Sequence, residues 1–159
     1  MAGARKHTEL ICWQLANELC LVIFPLTARL PFARDFRLRS ETDDAASSAR
    51  RNIAEGFGRR SHPDFARFLD ISLSSLNELR DCLLEAEQKG HSAAADLAPA
   101  RNLIKRTTVA TARLRSYLLR TPTPATRTLS APDSPSAPDA PSASDAPDAP
   151  DAPDAPDAP

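Results

Sequence analysis

Several kinds of feature are missing from this sequence, and each absence excludes a class of protein. No run of 18 apolar residues occurs, so the sequence contains no candidate transmembrane helix. The N-terminus begins with charge, but Glu9, Gln14, Asn17 and Glu18 interrupt what would have to be an apolar signal core, so no signal peptide is expected. The cysteines are few and odd in number (Cys12, Cys20, Cys82), form no Cys-x-x-Cys pair and sit in apolar patterns. They are expected to be buried reduced thiols in a cytoplasmic protein. The three histidines (His7, His62, His91) fall on a terminus, a helix cap and a loop. No HExxH, GxSxG, P-loop or GxGxxG occurs, and no Glu-x-x-His of the kind a di-iron bundle needs. Acidic neighbours such as Asp43/Asp44 and Glu85/Glu87 read as solvated helix faces. The expectation is a chain that is not an enzyme and takes no metal and no cofactor.

Net charge is also nearly absent, at −1, but the total hides a division. Residues 1–120 carry 19 basic and 14 acidic side chains, net +5, and only four of the 15 prolines. Residues 121–159 carry Arg127 against seven aspartates, net −6, with the sequence Asp-Ala-Pro five times in succession from Asp145 to Pro159. Such a segment has little to bury against the entropy of ordering it, so an extended, disordered tail is expected. Its charge suits it either to compete with phosphate for the basic body or to act as a solubilising extension. The expected organisation is a folding unit at 1–120 and an acidic Pro/Ala/Asp-rich tail at 121–159.

The body reads as helix almost throughout. Ile11, Leu15, Leu19, Val22 and Leu26 recur at helical spacing and predict a first helix over about 9–24, which Pro25 should end or kink. A second helix over about 35–57 has mostly small inward candidates: Phe36, Thr42, Ala45, Ala46, Ala49, Ile53 and Phe57. Close packing against neighbours is expected to support it. Gly56 and Gly58 bracket its end, where a left-handed cap is easiest. Ser61-His62-Pro63-Asp64 supplies a cap for a third helix with the stripe Phe65, Phe68, Leu69, Ser72, Leu76, Leu79, Leu83 and Ala86, ending at Gly90. A fourth helix over about 94–119 has Leu97, Ala100, Ile104, Thr107, Thr111, Leu114 and Leu118 on its inner face, with Pro99 blurring its start. Four such helices with short connections predict an all-α, antiparallel up-down-up-down four-helix bundle.

The cations carry the functional signal. Arginine supplies 17 of the 20, and its planar fork suits phosphate. Arg50, Arg51, Arg59, Arg60 and Arg67 gather around the second connection. From Leu97 to Arg120 there is no acid, and Arg101, Lys105, Arg106, Arg113 and Arg120 fall within an arc of about 140° opposite the apolar face, with Arg115 outside it. This predicts a basic stripe able to track phosphates; a solvated helix face is the plain alternative. Aromatic side chains are not expected to interleave with these arginines, so base stacking is not expected.

Trp13-Gln14, then Asn52-Ile53-Ala54-Glu55-Gly56-Phe57-Gly58-Arg59, Ser61, Phe65, Arg67-Phe68-Leu69 and Ser75-Leu76-Asn77-Glu78-Leu79 resemble the four helix bundle protein family, known from intervening sequences of bacterial large-subunit ribosomal RNA genes. That family is related to the accessory variability protein of diversity-generating retroelements. The resemblance spans about residues 9–119. It implies an antiparallel bundle, a homopentamer, no recognised catalytic residues and, by way of the retroelement relatives, nucleic-acid and reverse-transcriptase partners. This chain departs from the pattern at Thr42, Asp43, Asp44 and Arg50 and in its acidic tail. Within the motif, Gly56 and Gly58 should permit the turn, and Asn52 and Glu55 should hydrogen-bond backbone of the loop they precede. Arg59 and Arg60 are the better functional candidates. Two functions follow as expectations: an oligomeric accessory protein binding RNA or DNA with low sequence specificity, or a protein-interaction scaffold whose nucleic-acid affinity is incidental.

Overall fold

A computed structural model describes residues 4–123 of the chain; the expected tail from residue 124 onward lies outside the described residues. Four α-helices follow one another: α1 (Ile11–Thr27), α2 (Phe36–Phe57), α3 (His62–Gln88) and α4 (Ala94–Arg120). Single 3-10 turns at His7–Glu9 and Phe32–Arg34 precede α1 and α2. Cross-helix contacts fix the directions. Asn17 of α1 meets Arg50 of α2, whereas Thr27 meets Asp43. Ser48 of α2 meets Ser75 of α3, whereas Arg37 meets Glu85. Asp70 of α3 meets Arg115 of α4, whereas Glu87 meets Arg101. Each pair advances along one helix as it retreats along the next, so neighbours are antiparallel, and α4 also packs against α1 to close the bundle.

The core forms where the four apolar stripes meet. Leu15, Leu19 and Ile23, the alanines Ala45, Ala46 and Ala49, Leu76, Leu79 and Leu83, and Leu97, Ala100 and Ile104 make its centre. The small side chains of α2 let α3 approach closely enough for polar cross-links. Ser72 Oγ donates to the Ala49 carbonyl at 2.9 Å, and the Ser48 and Ser75 hydroxyls share a hydrogen bond of 2.9 Å. A second cluster joins Cys12 and Ala16 to Ile53, Phe65, Leu69 and Leu118. It places the start of α1, the end of α2, the start of α3 and the end of α4 at one end of the bundle. All three cysteines are buried and unpaired, and burial pushes the Cys12 thiol up to about 11.

Three sequence expectations change. Pro25 lies inside α1, which runs on to Thr27. Leu26 and Thr27 are both buried, and the Thr27 hydroxyl donates to Asp43 Oδ1 at 2.8 Å, which offsets the one backbone bond that proline removes. The inward face of α1 is rotated from the expected one: Cys12, Ala16, Cys20 and Ile23 are buried with Leu15 and Leu19, while Ile11 is 69 % exposed. In α2, Leu38 is fully buried and Phe36 is 78 % exposed, while the other inward candidates are buried except the half-buried Phe57. Pro99 is likewise inside its helix, five residues past the start at Ala94. Ser61 caps α3 as expected, accepting from the Asp64 amide, and Gly90 ends it with a φ of +69°.

The opposite end of the bundle is held by a polar clasp. Asp35 caps α2 by accepting from the Leu38 amide at 3.1 Å. The same carboxylate accepts from Lys89 Nζ at 2.9 Å and lies 3.0 Å from His91 Nε2, and the His91 ring rests against the buried Phe32 ring. The Lys89 ammonium, then His91 and the Leu38 amide, hold the Asp35 carboxyl well below its ordinary 3.8. A depressed carboxyl adds stability that is complete above its unfolded value and is lost as pH falls through the folded one. Asp35→Asn keeps a capping side chain but loses the charge. Its melting temperature should therefore fall below wild type at pH 6, and the gap should narrow below pH 3.8. A gap that widens on acidification would contradict the clasp.

Candidate nucleic-acid interface

The predicted basic residues separate into paired and unpaired groups once the helices are assembled. On α4, Arg101 is half-buried against Glu87 and Arg115 is half-buried against Asp70, both acids belonging to α3. Their positive charge is spent on the helix–helix seam. Lys105, Arg106, Arg113 and Arg120 are exposed, and among the described residues none has a carboxylate within ion-pairing distance. Arg120 Nε donates to the Ser116 carbonyl at 3.1 Å, a cation at the helix C-terminus where the dipole favours it. Arg106, Arg113 and Arg120 recur every seven residues, so they form a row with steps of about 10.5 Å along one face. Val109, Ala112, Arg113, Ser116 and Arg120 line a shallow depression of about 380 Å³ on that face.

The second connection contributes less than its arginine count suggests. Arg50 is half-buried and donates to Asn17 Oδ1 at 3.0 Å. Arg59 pairs with Glu55 one turn back in sequence, and its guanidinium lies 4.3 Å from the centroid of the Phe68 ring. Arg51 and Arg60 are exposed, with no acidic partner among the described residues. The connection nevertheless meets the end of α4: the His62 amide donates to Thr123 Oγ1 at 2.9 Å, and His62 Nδ1 lies 2.8 Å from the Thr121 carbonyl. Arg60 and Arg120 therefore lie at the same end of the bundle, while Arg101 and Lys105 lie farther along it.

The Asn-Ile-Ala-Glu-Gly motif works differently from the sequence expectation. Neither Asn52 nor Glu55 hydrogen-bonds the backbone of the loop by its side chain. Asn52 Nδ2 donates back one turn to the Ser48 carbonyl at 2.8 Å and to Ser48 Oγ at 3.1 Å, which ties it to the α2–α3 seam. Glu55 faces Arg59. Gly58 has an ordinary helical φ of −76°, and the positive-φ glycine among the described residues is Gly90, not Gly56 or Gly58. Gly56 is present because of space: it is buried, and a Cβ there would meet Phe65 and Phe68 of α3. A motif glycine can mark a close approach as well as a turn, and the sequence alone does not separate the two.

One residue went unrecognised. Tyr117 is 56 % exposed and stands between Arg113 and Arg120, so an aromatic ring does interleave with the cations. Its signal was present as the single tyrosine of the chain, inside the acid-free run of α4. Among the described residues, no group of three or more His, Cys, Asp or Glu could hold a metal ion, and no helix is long and apolar enough to cross a membrane.

Fold and surface together define a small all-α protein: an antiparallel four-helix bundle in which the outward face of α4 carries a row of cations with no carboxylate partner among the described residues. Comparison with family models matches residues 8–111 to the 23S rRNA-intervening sequence protein. The chain belongs to that family, in agreement with the resemblance carried by its Asn-Ile-Ala-Glu-Gly segment. A comparison with curated proteins gave no match. The family match stops inside α4, just short of Arg113, so part of the row lies beyond it.

Proposed function

We propose that this protein is a non-enzymatic, oligomeric accessory protein of the cytoplasm that binds nucleic acid through the outward face of α4, with little dependence on base sequence. The observation that carries the reading is the row of Lys105, Arg106, Arg113 and Arg120, unpaired among the described residues on a helix with no acid from Leu97 to its end. Cations already neutralised by Glu87 and Asp70 stabilise the seam; cations left over are available to phosphate. Arg60, in the connection that meets the end of α4, lies at the same end of the bundle as Arg120 and adds to this surface.

The oligomer is supported by α1. Its 17 residues contain one charged side chain, Glu18, and its outward face presents Ile11, Phe24 and Leu21, the last 66 % exposed. Exposed apolar side chains gathered on one helix face are ones that other protein covers. A second copy of the chain fits this face, in keeping with the homopentamer that the resemblance implies; a scaffold role toward another polypeptide would use the same face.

A titration of labelled RNA by the full chain tests the nucleic-acid reading. Affinity should fall steeply as salt rises and should be similar for unrelated sequences. Affinity indifferent to salt, or none at low ionic strength, would contradict it.

A further inference from the structure

The cationic row explains attachment to a phosphate backbone, and Tyr117 adds something that attachment does not need. Most large aromatic rings bury their faces; this one is more than half exposed on a charged helix surface. It lies four residues after Arg113 and three before Arg120, about 6 Å and about 4.5 Å along the axis from each. The three therefore share one side of α4, with Arg113 one turn before Tyr117 and Arg120 about one turn after it in the helix.

Resting on the nucleic-acid reading above, we infer that Tyr117 is a stacking platform for one unpaired base, with Arg113 and Arg120 holding the phosphates on either side. A π-face accepts any base, so the platform adds affinity without sequence preference. It cannot act on a duplex, where each base is already stacked and its faces are covered. The surface therefore selects single-stranded over double-stranded nucleic acid, a distinction that the arginines alone do not make. The α3 side of the row fits this selection. On that side Arg101 and Arg115 are engaged with Glu87 and Asp70, so they offer no free cation to a second phosphate strand laid beside the first.

The test compares the full chain with Tyr117→Ala, Tyr117→Phe and Arg113→Ala on a labelled single-stranded RNA 12-mer and on an RNA duplex of the same length. Tyr117→Ala should weaken single-strand binding about tenfold, the scale of one stacked base, and leave duplex binding unchanged. Tyr117→Phe should restore the affinity, since the ring and not the hydroxyl stacks. The salt dependence of Tyr117→Ala should match wild type, whereas Arg113→Ala should flatten it. If Arg113→Ala weakens binding while Tyr117→Ala does not, the platform is overturned and the nucleic-acid reading stands. Equal losses on single strand and duplex in Tyr117→Ala also overturn it. If the wild-type chain binds neither RNA, both readings fall together. Because Tyr117 is exposed, the alanine variant should melt as wild type does by circular dichroism, and Tyr117→Phe provides the control if it does not.

Discussion

Alanine at position 56 should destabilise the bundle by about 1–3 kcal/mol, although glycine-to-alanine in an ordinary helix interior stabilises by about 0.5–1 kcal/mol. The sign reverses because of what faces Gly56. A Cβ there would lie 2.5 Å from Phe65 Cδ2, 2.8 Å from Phe68 Cβ and 2.9 Å from Phe65 Cε2. Phe65 is buried with its ring edge-on to Phe57, so it has no open space to move into. Phe68 Cβ is fixed to the backbone of α3 and cannot rotate away. Relief would have to come from separating α2 and α3, which would also stretch the Ser48–Ser75 and Ser72–Ala49 hydrogen bonds farther along the seam. Gly58 is the control: its Cβ would meet only the Glu55 carbonyl at 3.4 Å, and its φ of −76° suits alanine. Chemical denaturation of the two variants should show Gly56→Ala clearly below wild type and Gly58→Ala level with it or slightly above. A Gly56→Ala variant as stable as wild type would mean that the helices do not approach this closely.

Much of the fold was legible because local signals agreed with one another. Ser61 with Asp64 three residues on, the long stripe from Phe65 to Ala86 and the stop at Gly90 all describe α3, and each is a matter of nearby residues. The small inward residues of α2 pointed correctly to close packing. The face of α1 was harder to place because apolar residues lie on both its inward and its outward side. Ile11 and Leu21 fit a helical period as well as Cys12 and Ile23 do, and only the neighbours decide which set is buried. The site was legible as a basic helix and not as a particular set of residues. That Arg101 and Arg115 are spent on Glu87 and Asp70 depends on how α3 and α4 are aligned, which periodicity within one helix does not record. For the same reason the role of Gly56 was read as a turn when it is a contact with the next helix.

The division of α4 into spent and unspent cations is the centre of the functional account, and it can be tested at constant net charge. Arg106→Ala/Arg113→Ala and Arg101→Ala/Arg115→Ala each remove two positive charges from the same helix. If only the overall field mattered, the two would weaken RNA binding alike. If direct phosphate contacts matter, the first loses two of them and the second loses none. Each contact contributes about 0.7–0.9 to the slope of log affinity against log salt. The Arg106/Arg113 variant should therefore lose on the order of tenfold or more in affinity at low salt, with its slope reduced by about 1.5. The Arg101/Arg115 variant removes half-exposed ion pairs worth at most about 1 kcal/mol each, so its fold should survive. Its slope should stay at the wild-type value. The deciding measurement is the salt dependence of RNA affinity for wild type and these two variants, read by fluorescence anisotropy. A flattened slope in Arg106→Ala/Arg113→Ala alone is the predicted result; equal slopes in all three proteins would contradict the placement of the interface on the outward face of α4.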